Sequence, residues 1–128
     1  MSKKRIKNWI PVARRAITEC EIESGGKIEA TFIDVVAELG AAIISGTLRS
    51  AVAYFSEKGD ATVDRRKVVS AAYYCISGKR WAAGKVLEYV YENESPDLKE
   101  EFLDALAAIR YATKFFMYVN KEEQNEQS

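Results

Sequence analysis

Apolar residues recur at steps of three and four from one end of this chain to the other, and that spacing restricts it to packed helices. Ile6, Trp9, Ile10, Ala13, Ala16, Ile17 and Cys20 form the first stripe. Pro11 interrupts it unless it lies in the first turn, where its missing N–H costs nothing. Asn8 is therefore the expected N-cap, with a basic arm over residues 1–7 ahead of it and Ser24-Gly25-Gly26 as the stop. A second helix is expected from about Ile28, with Phe32, Val35, Val36, Leu39 and Ile43 inward, until Ser45-Gly46-Thr47 breaks it. A short third helix carries Leu48, Ala51, Val52 and Phe55, with Gly59 as its stop.

Thr62 or Asp64 is the expected cap of a fourth helix, whose stripe is Val68 or Val69, Ala72, Tyr73 and Ile76, ending at Gly78. A fifth, over about residues 80–91, buries Ala83, Val86, Leu87 and Val90. Ser95-Pro96-Asp97 joins a cap residue, a proline at the first helical position and an acid at the positive end of the dipole. The last helix then carries Leu98, Phe102, Ala105, Leu106, Ile109, Ala112, Phe116 and Val119 on one face, and the polar residues 121–128 are expected to fray. No alternating run argues for a sheet. The expected architecture is all-α, a compact bundle of about six helices in a single domain over residues 1–128.

The chain contains no histidine, which removes the commonest general base near neutral pH and the imidazole metal ligands together. Gly25-Gly26 lacks the Gly-Lys-Ser/Thr that completes a phosphate-binding loop. Glu19, Glu21 and Glu23 alternate and Glu100 adjoins Glu101, so neither group converges on one helix face. These patterns point to no enzyme, no cofactor and no metal. Cys20 and Cys75 match no metal or redox spacing and read as reduced core or boundary thiols. No apolar run reaches membrane-spanning length and no signal-peptide pattern follows the basic start, so the expected setting is cytoplasmic, with no membrane partner.

The formal net charge is zero, yet the charges are segregated. Residues 1–18 and 65–87 hold cations and no acid, whereas residues 88–104 hold seven acids against Lys99 alone. Opposite faces of opposite sign fit different partners, or copies of one protein. Arg14 and Arg15 belong to the first basic block. Arg65-Arg66-Lys67 and Lys79-Arg80 bracket one expected helix, which can bring them together in space beside Tyr73, Tyr74 and Trp81. Such an arrangement suits an electrostatic track for single-stranded nucleic acid, with a solvated charged face as the plain alternative. Trp81, at the start of the fifth helix, and Tyr111 and Tyr118 on the last lie off their apolar stripes. They are covered by a neighbouring helix or form a protein interface.

The stretch Glu38-Leu39-Gly40-Ala41-Ala42-Ile43-Ile44-Ser45-Gly46-Thr47-Leu48-Arg49-Ser50-Ala51-Val52-Ala53-Tyr54-Phe55, followed by Gly59, resembles a recurring segment of the small subunit of the type III-B CRISPR Cmr effector complex. Ile109-Arg110-Tyr111-Ala112-Thr113-Lys114-Phe115 is similar to the last helix of that family. Gly40 stands where the family often has proline, and Thr47 where it has the glycine before leucine. The resemblance implies a non-catalytic, RNA-binding subunit of an antiviral-defence ribonucleoprotein complex. Its partners would be the other Cmr subunits, stacked copies of itself, and the guide RNA and target RNA, contacted through the backbone. It places Arg49, Arg110 and Lys114 near RNA or neighbouring subunits. Two other classes stay open: a helical protein-interaction adaptor without nucleic-acid contact, and a helical DNA-binding regulator that reads with its fourth helix.

Overall fold

The computed structural model describes residues 1–59 and 62–119. Six helices dominate them: α1 (Lys3–Glu19), α2 (Ala30–Ser45), α3 (Leu48–Phe55), α4 (Arg66–Ser77), α5 (Ala83–Asn93) and α6 (Pro96–Ala112). The expected stripes face the core. Phe32, Val35, Val36, Leu39 and Ile43 of α2 are buried, as are Leu48, Ala51, Val52 and Phe55 of α3. Trp9, Ile10, Ile76 and Leu87, expected inside, are only half-buried at the edge of that core.

The first helix departs from expectation. It begins at Lys3 rather than after Asn8, and Pro11 lies inside it, so the basic arm is helical. Two anchors hold this extra turn. Ser2 caps it by accepting a hydrogen bond from the Arg5 amide at 3.2 Å. The Ser2 amide and the Arg5 guanidinium both reach Asp104 of α6, Arg5 Nη2 at 2.6 Å and Nε at 2.8 Å. Asp104 is fully buried, so its carboxylate requires that cation. Burial of Ile6, Ala13, Ala16 and Ile17 along the helix offsets the cost, about 3 kcal/mol, of a proline in its interior, and the Arg5–Asp104 pair fixes the turn ahead of it. Ser2 and Arg5 meet Asp104, and Arg14 meets Phe115, so α1 and α6 run parallel, side by side.

A second departure is a small sheet of order β1-β2-β3, with β1 (Glu23–Ser24), β2 (Lys27–Glu29) and β3 (Met117–Val119). Gly25 and Gly26, at φ +60 and +79, form the tight turn that lets β1 and β2 pair antiparallel. Ile28 therefore lies in β2, and the second helix starts two residues later. The last helix stops at Ala112, runs through a 3₁₀ turn (Thr113–Phe115) and becomes β3, parallel to β2. Phe116, Tyr118 and Val119 thus leave the last helix, on which they were expected.

The caps follow the sequence in part. Thr47 and Ser50 form a capping box on α3, and the Ser95 side chain accepts from the Leu98 amide at 3.0 Å. Ahead of α4, Asp64 rather than Thr62 receives a first-turn amide, that of Arg66 at 3.1 Å. The fifth helix starts at Ala83, later than expected, which leaves Trp81 in the segment before it. Residues 121–128, expected to fray, lie outside the described residues.

Inside α2, Gly40 costs roughly 0.5–1 kcal/mol against alanine. A methyl group there would meet only Leu106 Cδ1, at an ordinary 3.9 Å, so internal packing does not require this glycine. Cys20 and Cys75 are free and buried, and burial pushes their thiols up to about 11 and about 12. No described helix is long and apolar enough to cross a membrane.

Candidate nucleic-acid interface

Arg66, Lys67, Arg80 and Trp81, separated by thirteen positions between the second and third of them, do converge on one cleft. Gly78 ends α4 in the left-handed conformation, and the chain then folds back so that Trp81 stacks on Tyr73, ring centroids 4.7 Å apart. Arg80 thereby returns toward the first turn of α4. The cleft, about 250 Å³, also takes in Ser70 and has buried Cys20 in its wall.

Its charge is largely spent inside the molecule. Arg66 grips Asp64 with Nε and Nη2, both at 2.8 Å, and holds that carboxyl below its ordinary 3.8. Lys67 Nζ donates to the Glu21 carbonyl at 3.1 Å, and Arg80 stands 3.7 Å from the Glu21 carboxylate. Three cations thus face two acids. Exposed pairs of this kind are worth at most about 1 kcal/mol, so a phosphate can exchange for them at little cost.

Arg65, Lys79 and Trp81 have other duties. Arg65 turns away and closes the end of α3, donating to the Glu57 and Tyr54 carbonyls at 2.8 Å each, its guanidinium 4.3 Å from the Tyr54 ring centroid. Tyr73 is 4 % exposed and takes no part in base stacking. Trp81 has Tyr73 on one face and Lys85 Nζ 4.2 Å from its centroid, with Lys79 Nζ at 5.7 Å. A base reaches Trp81 only by displacing Lys85. Arg49 bridges α3 to the end of α5, through its amide to Glu94 at 2.8 Å, its side chain to the Tyr91 carbonyl, and an ion pair to Glu94 at 3.4 Å.

A second basic surface lies between α1 and α6. Lys3, Lys7 and Arg110 rim a groove of about 440 Å³ floored by Ile6, Ile10 and Ala107 and closed by Tyr111. Beyond it, Lys114 Nζ lies 5.6 Å from the Tyr111 centroid, and the Arg14 guanidinium 4.7 Å from that of Phe115. Tyr111 and Phe115 are 50 % and 57 % exposed, and Tyr118, 48 % exposed, places its hydroxyl 3.1 Å from Thr113 Oγ1. Arg15 is exposed on α1 and lines neither surface. Lys3 and Lys7 did not stand out in the sequence because a helix started after Asn8 would leave them in an arm. Their spacing with Ile10 and Arg14, read through Pro11, is the signal that finds them.

No family model, curated protein or solved structure matches this chain.

Proposed function

We propose that this chain is the non-catalytic small subunit of a type III-B CRISPR RNA-targeting complex, stacking head to tail along the guide–target duplex and contacting RNA through its backbone, in the cytoplasm. The observation that carries the reading is the polarity of α6. Its N-terminal end, with the end of α5, presents Glu92, Glu94, Asp97, Glu100 and Glu101. Its C-terminal end leads into Lys114 and, from α1, Arg14, among the half-exposed rings of Tyr111 and Phe115. Seventeen helical residues span about 25 Å, so the ends are well separated.

Opposite signs at two ends of one rod favour a repeated head-to-tail contact, which does not close on itself and so builds a filament. In such a stack the α4 clefts recur at a fixed interval, and weak phosphate contacts add through effective concentration. The half-neutralised cleft supports this reading over an independent nucleic-acid binder. A DNA reader is disfavoured because Arg65, one of the two residues available at the start of α4, is turned away from it to the Tyr54 and Glu57 carbonyls.

The decisive experiment is purification of the tagged chain from its host under mild conditions, with identification of the bound proteins and sequencing of any RNA. The expected result is a multi-subunit assembly that carries guide RNA. A chain that elutes alone and free of RNA overturns the proposal.

A further inference from the structure

The groove between α1 and α6 differs from an RNA track in its floor. Ile6, Ile10 and Ala107 are aliphatic, and a phosphodiester backbone has no use for them. The rim cations Lys3, Lys7 and Arg110 have no ion-pair partner among the described residues, and no acidic side chain among them lines the groove. The apolar ground continues across α6. A shallower groove on its far side, about 330 Å³, shares Ala107 and Arg110 with the first and is lined by Gly40, Ala41 and the exposed Ile44 of α2. The glycine that internal packing does not need opens onto this side, where it lowers the surface for a close approach.

We infer that this face docks an acidic segment of a different protein: a short stretch whose large apolar side chain seats on Ile6, Ile10 and Ala107 while flanking carboxylates meet Lys3, Lys7 and Arg110. Charge complementarity fixes the sign of the partner, and the aliphatic floor makes it a peptide rather than a nucleic acid. A second copy fits less well. Its acid-rich junction offers Tyr91 as an anchor, but the Arg49 guanidinium lies 5.1 Å from that ring's centroid and pairs with Glu94. This inference does not depend on the RNA-guided reading.

The test is to pan a displayed library of short random peptides against the full chain and to measure the affinity of the enriched peptide, synthesised with a fluorescent label. Enrichment should favour Asp and Glu on both sides of a Leu, Ile, Phe or Trp. Lys7→Glu with Arg110→Glu should weaken that peptide at least roughly tenfold, as reversal of two rim ion pairs implies. Arg66→Glu with Arg80→Glu, across the molecule, should leave it within about twofold. No acidic enrichment, or an affinity unmoved by the groove variant, overturns the inference. So does single-stranded RNA that displaces the peptide, which would make the groove a nucleic-acid site. Concentration-dependent self-association, measured by sedimentation and abolished by Lys7→Glu with Arg110→Glu, would give the groove to a second copy and equally overturn it.

Discussion

The two basic surfaces of this protein carry similar numbers of cations and differ in what holds them. At the α4 cleft, Arg66 and Arg80 each face a carboxylate and Lys67 a backbone carbonyl, while Arg65 has left the cleft to close α3. In the α1–α6 groove, Lys3, Lys7 and Arg110 stand free of ion pairs among the described residues, above an apolar floor. The lesson is that a run of basic letters measures charge, not availability. Cations beside helix termini are drawn into closing them, because the last carbonyls of a helix need donors. Lys3, Lys7 and Arg110 point along the α1–α6 seam, where no described carboxylate or helix-end carbonyl takes them up.

The largest effects should come from breaking what builds the groove. Phe102 and Ile109, both fully buried on α6, should each cost about 2–5 kcal/mol when changed to alanine, measured by chemical denaturation. Arg5→Ala should cost about 3–5 kcal/mol, because it strands the buried Asp104 carboxylate without its cation. Tyr111→Ala and Tyr118→Ala, half exposed, should cost far less. Losses of equal size at all four aromatic and aliphatic positions would mean that the tyrosines serve the core rather than a partner.

Smaller effects sharpen the contrast between the two sets of cations. Arg65→Ala removes hydrogen bonds to the Tyr54 carbonyl of α3 and the Glu57 carbonyl just past it and should cost about 1–3 kcal/mol. Arg66→Ala, which loses only an exposed pair, should cost less than Arg65→Ala. A charge-reversal test of RNA retention should therefore use Arg66, Lys67 and Arg80 and spare Arg65. That triple variant should weaken RNA retention by the assembled complex in the manner of raised salt, since phosphate contacts act through counterion release. Retention equal to the parent at every salt concentration would reduce the cleft to a solvated face. Gly40→Ala should raise the stability of the isolated chain by roughly 0.5–1 kcal/mol, the reverse sign of every other change.

Much of this was legible in the sequence. The stripes of α2, α3 and α6 and the Ser95-Pro96 start depend on local spacing and chemistry, which a single chain displays. What escaped depends on distant partners. The helical turn ahead of Pro11 is anchored by Asp104, ninety-three positions on. The sheet escaped because β3 is three residues long and pairs with a strand ninety positions earlier. At the cleft, the convergence of Arg66, Lys67 and Arg80 follows from one helix bracketed by two basic runs. The neutralising role of Glu21 does not, since that residue arrives from the end of α1.

The smallest effect is also the most discriminating, and it concerns Asp64. Arg66 stabilises the ionised carboxyl through hydrogen bonds and charge, so its pKa in the folded chain lies below the ordinary 3.8. A depressed folded value means that the pair contributes stability above the unfolded pKa and loses it as pH falls through the folded one. The loss therefore belongs to the acid range below about pH 4 and leaves neutral pH untouched. Because the pair is exposed, the stability at stake is small, but the titration itself is directly measurable by NMR on the Asp64 carboxyl. Arg66→Gln should return that titration toward its ordinary value. RNA bound at the cleft should do the same, because a phosphate that recruits Arg66 must take it from Asp64. An Asp64 titration that stays depressed with RNA bound would show that Arg66 never leaves its carboxylate, and would move the RNA contact off the cleft altogether.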